Sequence, residues 1–318
     1  MDEFEIIRRY FVRQGRDDSV RTGIGDDGAV LLPAAGRALV SVVDTMIEGV
    51  HWPPALPPRD VGYRAVAVNV SDIAAMGGTP RWMTLALTLA AADEEWLREF
   101  SAGLFEAAAE FGVSLVGGDT TQGGQTVVTV QVTGDVDPEH VLERTGAAAG
   151  DGIYVTGTPG DAAGGVALLA HPRSETADGR YLIGRFSRPR IRVAFATALA
   201  EFASAAIDLS DGLMADTGRL LDASGAGGSI DAVQVPLSGE LRRAFGDPQA
   251  LQFALTGGDD YELCFTAPPR AETDLLALAT RQGIRVTRIG VVEEAAGLRC
   301  VKEGRELQIA DPGYVHFR

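Results

Sequence analysis

The sequence predicts a two-domain α/β fold, and three observations carry that prediction. The chain has 318 residues, more than one hydrophobic core usually serves. Strand-like and helix-like segments alternate along both halves and do not segregate. Around Pro138 and the stretch ERTGAAAGD the alternation lapses into linker-like composition. The two halves are therefore set at residues 1–140 and 141–318.

In the first half, MDEFEIIRRYF reads as an amphipathic helix over residues 2–12 and has no signal-peptide pattern. Short apolar runs predict strands at 29–32 and 38–43. Apolar residues at helical spacing predict a helix over 59–77, ended by Gly77 and Gly78. A strand at 82–89, a helix at 93–111 and strands at 113–116 and 126–136 follow. In the second half, GIYVTG is a strand that leads into a helix from about residue 160. A helix at 190–202, the strand AIDLS, the helix DGLMADTGRLLDAS and the strand YELCFTA come next. The last part reads as a helix and short strands.

Bulk properties narrow the function. Apolar residues make up 46% and charged residues 23%, an ordinary globular composition. The net charge of −16 repels nucleic acid and anionic membranes, so neither is expected as a partner. No apolar run reaches the ~18 residues of a membrane span. Cys264 and Cys300 are isolated, with no zinc or CxxC spacing, which suits a reducing compartment and predicts a cytoplasmic protein. The only lysine is Lys302, near the C-terminus. A phosphate-cradling P-loop lysine and the strand lysine of protein kinases are thereby excluded.

What the chain has in place of lysine is aspartate at turns. GIGDDGAVL sets Asp26 and Asp27 side by side between glycines, with no neighbouring cation. Asp44 closes the strand ALVSVVD, and Asp119 follows VSLVGG. Asp208 and Asp211 flank Ser210 in IDLSDG, and Asp259 and Asp260 stand in TGGDDYELCF. Each alone could be a turn or cap residue. Asp72 is different, because a charge amid AVAVNVSDIAAM needs a partner near a buried face. Together, carboxylates at strand ends, flanked by glycines that let a ligand approach closely, point to one cleft. The donors are all oxygen, and none of His51, His140, His171 and His316 has zinc spacing. Such a set suits several Mg²⁺ ions that complete their shells with phosphate oxygens. VTGTPGDAAGG could bind phosphate at a helix N-terminus but is read mainly as a turn.

In this order and spacing, GIGDDGAVL, VVDTMIEGVHW, AVNVSDIAAMGGTP, LVGGDTT, VTGTPGD, AIDLSDGL and GGDDYELCFT resemble the thiamine-monophosphate kinases. These belong to the aminoimidazole ribonucleotide synthetase-like superfamily. The resemblance implies a two-domain α/β fold of α+β type, whose N-terminal sheet forms a β-barrel across a homodimer. It implies Mg-dependent transfer of the ATP γ-phosphate to thiamine monophosphate. Metal ligands would fall on Asp27, Asp44, Asp72, Asp119, Asp208 and Asp211, with Val42 and Val43 able to offer only backbone carbonyls. ATP would meet Gly118, Asp119, Arg144 and Ser210. The acceptor would meet His51, Asp259 and Tyr314. Relatives often carry glutamate where Asp259 stands, so a shorter arm must reach the substrate here.

Other readings fit less well. A selenophosphate synthetase needs a cysteine and a lysine before Gly23, and neither is present. A hydrogenase maturation protein of this superfamily ends in a reactive cysteine, whereas this chain ends YVHFR. Aminoimidazole ribonucleotide synthetase is the nearer rival, since its acidic motifs overlap in kind. A non-enzymatic Mg²⁺ or nucleotide sensor would bind ATP without turnover.

Overall fold

The structure is a computed structural model that describes residues 1–13 and 17–317. These form two compact units, one of residues 1–73 and 78–139, the other of residues 74–77 and 140–318.

The first unit runs α1 (Glu3–Ile6), β1 (Val20–Thr22), β2 (Val30–Leu31), β3 (Ala38–Ile47), α2 (Pro58–Ala75), β4 (Thr79–Leu89), α3 (Glu94–Phe111), β5 (Ser114–Gln122) and β6 (Val127–Val136). Its four-stranded sheet has the order β3-β6-β4-β5. The β4/β5 pair is parallel and is joined by α3; the other pairs are antiparallel. Alternation sets the two faces. Leu85, Leu87, Val128, Val130 and Val132 are buried on one. On the other, Thr45 bonds Thr129 at 2.9 Å and Gln131 bonds Ser41 at 2.8 Å. Leu39 and Val43 of β3 are exposed, and β3 is an edge of this sheet.

Helix α2 is buried from Val61 to Ser71, including Arg64 and Asn69. It meets α3 at backbone distance. A Cβ on Gly62 would lie 2.1 Å from the Phe100 carbonyl oxygen, and one on Gly103 would lie 1.7 Å from that of Arg59. Only hydrogen fits at either contact.

The second unit contains β7 (Gly152–Thr156), α4 (Asp161–Leu168), α5 (Ala177–Ser187), α6 (Val193–Leu199), β8 (Ala205–Asp208), α7 (Leu213–Ala223), β9 (Gly227–Asp231), α8 (Gly239–Phe245), α9 (Asp247–Thr256), β10 (Leu263–Ala267), α10 (Glu272–Gln282), β11 (Val286–Glu293), β12 (Gly297–Lys302) and β13 (Arg305–Glu306). Its sheet has the order β13-β12-β9-β11-β7-β10-β8. Strands β7, β8 and β10 are buried at every residue, which is why they read as unbroken apolar runs. Strand β8 is an edge, so the turn after it lies beside the turn before its partner β10.

Several elements differ from the expected ones. The N-terminal segment is α-helical only to Ile6 and continues as a π-helical turn over Ile7–Phe11. Asp44 does not end its strand: β3 runs on to Ile47, with Asp44 sharing a face with Val42 and Met46. Nor does Asp119 follow its strand. Gly118 and Asp119 lie inside β5, paired with Leu85 and Ala86 of β4. The strand expected at 113–116 falls short of the Gly-Gly pair, and glycine commonly breaks strands. Here it permits contact, since a Cβ on Gly118 would sit 1.9 Å from the Leu85 carbonyl oxygen. Helix α5 has no counterpart among the expected elements, because Gly179 and Gly184 interrupt its pattern. No helix among the described residues is long and apolar enough to cross a membrane.

The α2/α3 contact gives a direct test. Gly103→Ala should destabilise the protein by roughly 1–3 kcal/mol or more, because a methyl group meets backbone that cannot turn aside. Urea denaturation followed by tryptophan fluorescence measures it.

Candidate active site

In the first unit the loop between β1 and β2 and the glycine-rich stretch of β5 face one cavity of about 690 Å³. Asp26, Asp27, Gly118 and Asp119 line it, so three of the residues singled out for metal or ATP share one space. The N-terminal helical segment also lines it, through residues that include Phe4, Ile7 and Arg8. Asp26 turns the loop on itself, its carboxylate accepting the Asp27 N–H at 2.9 Å. That leaves Asp27 as the more available of the adjacent pair. Arg8 brings positive charge to this cavity; nothing in its helical spacing marked it.

Asp44 is tied through Asn69 to α2, the helix that carries Asp72. The Asn69 side-chain oxygen accepts the Asp44 N–H at 3.0 Å, and its amide donates to the Ala65 carbonyl at 3.0 Å. Asn69 lies three residues before Asp72, so both occupy one face of α2. A polar residue inside AVAVNVSD is as conspicuous as Asp72, and the burial argument that selected Asp72 applies equally to Asn69. Val42 is partly buried and Val43 is exposed on the same strand. His51 closes the turn after β3, its Nδ1 accepting the Ile47 N–H at 3.0 Å. In the neutral ring this places the proton on Nε2, making that nitrogen the donor.

In the second unit three turns are joined by backbone hydrogen bonds. The Asp259 N–H donates to the Ser210 carbonyl at 2.8 Å, the Tyr261 N–H to Leu209 at 2.8 Å and the Tyr314 N–H to Asp211 at 3.0 Å. Ser210, Asp211, Asp259 and Tyr314 are thereby neighbours. The approach is close enough to require glycine. A Cβ on Gly258 would fall 2.5 Å from the Ser210 oxygen, and one on Gly313 would fall 2.4 Å from that of Asp211. Asp259 and Tyr261 both adopt positive φ, at 72° and 51°. Such backbone persists only where its surroundings enforce it.

Buried carboxylates supply that enforcement. Asp260 is 1% exposed and accepts the Gly160 and Ala162 N–H groups at 2.6 and 3.1 Å. The helix N-terminus in VTGTPGDAAGG is thus capped by the protein's own carboxylate. Burial pushes the Asp260 carboxyl well above its ordinary range, against the pull of these bonds. Two residues on, Glu262 is fully buried between Arg185, Arg192 and Thr156, with four bonds of 2.6–2.9 Å. Asp216 performs the same service for the first turn. It accepts the Asp211 and Gly212 N–H groups at 2.9 and 3.0 Å. Its carboxyl is pushed up to about 6 by burial. Arg219 pairs with both Asp211 and Asp216.

The remaining residues lie apart from these turns or at their margins. Asp208 is buried at the end of β8. Tyr314 is half exposed, on the wall of a groove of about 910 Å³ that Leu251, Leu255, Leu307 and Ile309 also line. Arg144 is exposed, and its carbonyl accepts the Ser224 hydroxyl at 2.9 Å. Burial pushes the Cys264 thiol up to about 12, making it an inert core residue.

Among the described residues no group of three or more His, Cys, Asp or Glu side chains is arranged to hold a metal ion alone. The oxygen donors of the first cavity nevertheless suit a hard cation. Mg²⁺ characteristically takes one or two carboxylates and completes its shell with water and phosphate.

Residues 25–136 match the N-terminal domain of the AIR synthase related proteins, and residues 148–303 match the C-terminal domain. The chain is 45% identical to the thiamine-monophosphate kinase of Salmonella typhimurium over 320 residues, spanning 99% of this chain and 98% of that one. It superposes on the crystal structure of thiamine-monophosphate kinase from Stenotrophomonas maltophilia with a TM-score of 0.85 at 40% identity, covering 96% of each. With the structure of "AaThiL complexed with AMPPCP and TMP" the TM-score is 0.79 at 32% identity, covering 92% of each. Two-domain fold, glycine-flanked aspartates and whole-length identity agree: the chain belongs to the thiamine-monophosphate kinase family.

Proposed function

We infer that this chain carries out its family's reaction, transfer of the ATP γ-phosphoryl group to thiamine monophosphate to give thiamine diphosphate and ADP. The observation that carries the inference is 45% identity over essentially the whole chain. A relative solved with AMPPCP, an ATP analogue, and TMP supports both substrates.

The chemistry follows from charge. A phosphate monoester has a second pKa of about 6 and is largely dianionic at neutral pH. It is already a nucleophile, so no general base is needed. The obstacle is repulsion between this anion and the triphosphate. Mg²⁺, when bound, supplies charge neutralisation and polarises phosphoryl oxygens. Several such ions would be held, with Asp27, Asp44, Asp72, Asp119 and the backbone carbonyls of Val42 and Val43 as proposed ligands in the first unit and Asp208 and Asp211 in the second. Gly118, which lines the first cavity, would meet the nucleotide through its backbone, and Ser210 and Arg144 would bind it. On the acceptor, His51 offers Nε2–H as a donor, Asp259 an acceptor and Tyr314 an aromatic face. Positioning and charge stabilisation then account for catalysis, and transfer is direct and in line. No residue is assigned to carry the phosphoryl group.

A homodimer with a barrel built across it suits the first unit. Strand β3 offers ten residues of sheet edge, and Leu39 and Val43 stand exposed on it. An edge of that length is commonly covered by another strand. A cytoplasmic location accords with two separate, buried free thiols.

Two outcomes are expected. ADP release with Mg-ATP should require thiamine monophosphate and fail with thiamine. Asp72→Asn should reduce it on the order of 10²–10³-fold, through lost charge stabilisation. ATP binding without turnover on the monophosphate would point instead to another substrate of the superfamily, or to a sensor. Separately, Leu39→Arg should weaken dimerisation roughly tenfold or more in sedimentation equilibrium. An unchanged dimer would place the interface elsewhere.

A further inference from the structure

Helix α7 sets a cation, Arg219, beside the turn after β8. Arg219 Nη1 pairs with the carboxylate of Asp211 and, at 2.6 Å, with Oδ1 of Asp216. Its two hydrogens serve two acids in different surroundings. Asp216 is 1% exposed, whereas the Asp211 side chain is 30% and that of Arg219 40% exposed.

These exposures divide the two bonds. Losing its cation would leave Asp216 a buried, uncompensated carboxylate, a costly state. Losing Asp211 would cost Arg219 little, because water can solvate both groups and exposed pairs contribute weakly. The guanidinium can release one partner and keep the other. Asp216 meanwhile holds the Asp211 and Gly212 N–H groups, so the turn need not move.

We propose that Arg219 is an internal counter-ion that holds Asp211 until a divalent cation competes for it, while Asp216 acts as the positioning residue that keeps the turn fixed through the exchange. The proposal rests on the reading of Asp211 as a metal ligand. It makes Arg219 a residue that sets the apparent metal affinity of the nucleotide complex without touching substrate.

The test uses the full chain with saturating AMPPCP, titrated with free Mg²⁺ and read by the midpoint of thermal unfolding. Arg219→Gln should lower the midpoint without Mg²⁺. It should also shift the half-saturating Mg²⁺ concentration down roughly two- to fivefold, the competitor being gone. Arg219→Lys, which keeps the charge, should stay near wild type. An unchanged or raised half-saturation in Arg219→Gln would overturn the proposal. Asp211→Asn separates the two ways it can fail. A wild-type Mg²⁺ response in Asp211→Asn would remove Asp211 from the ligands, and the counter-ion with it. A weakened response there, beside no change in Arg219→Gln, would keep Asp211 as a ligand and reject the counter-ion alone.

Discussion

Backbone hydrogen bonds from Asp259 to Ser210, from Tyr261 to Leu209 and from Tyr314 to Asp211 hold three turns together, and most of the second unit's special features follow from them. The turns approach so closely that Gly258 and Gly313 cannot carry a side chain. The path forces Asp259 and Tyr261 into positive φ, which a non-glycine chain adopts at a cost. Opposing that cost requires anchors that do not yield. Asp216, Asp260 and Glu262 are those anchors, each buried and each satisfied by backbone N–H groups or arginine. Such carboxylates are expensive to bury and more expensive to leave alone, so they fix one conformation.

The acidic residues of this chain therefore do two jobs. Asp216, Asp260 and Glu262 are enclosed and hold backbone in place. Asp26, Asp27 and Asp119 are exposed and line a cavity. Arginine serves the first group, its planar fork gripping Glu262 through two nitrogens of Arg192 at once. For the second group the chain has almost no lysine to offer, and the proposed magnesium ions take that part. Such a kinase can dispense with a general base because its acceptor is already an anion, and the charge a phosphate-binding lysine would supply falls to the proposed metal ions.

The sequence made some of this legible and hid the rest for physical reasons. Periodicity located α2, α3, α7 and the buried strands β7 and β10, where one pattern runs uninterrupted. It misjudged β3 and β5, because Asp44 and the Gly-Gly-Asp of β5 look like strand ends when nothing shows what they pair with. The motif aspartates could be picked out by their glycine neighbours, and Asp27, Gly118 and Asp119 do meet in one cavity. Asn69 carried the same signal as Asp72, a polar residue in an apolar helix. The roles of Asp216, Arg219 and Glu262 could not be read. Glu262 depends on side chains tens of residues away, and Asp216 and Arg219 on contacts within a turn or two of their own helix start, where a lone acid reads as a solvated face.

The proposed phosphoryl transfer is a single in-line displacement governed by charge neutralisation and positioning, with no covalent intermediate on the protein. It is tested most directly by the stereochemical course of the reaction with ATP made chiral at the γ-phosphorus. One displacement inverts that centre, so inversion is expected in the thiamine diphosphate formed. Retention would mean two displacements through a phosphorylated residue, and would contradict it.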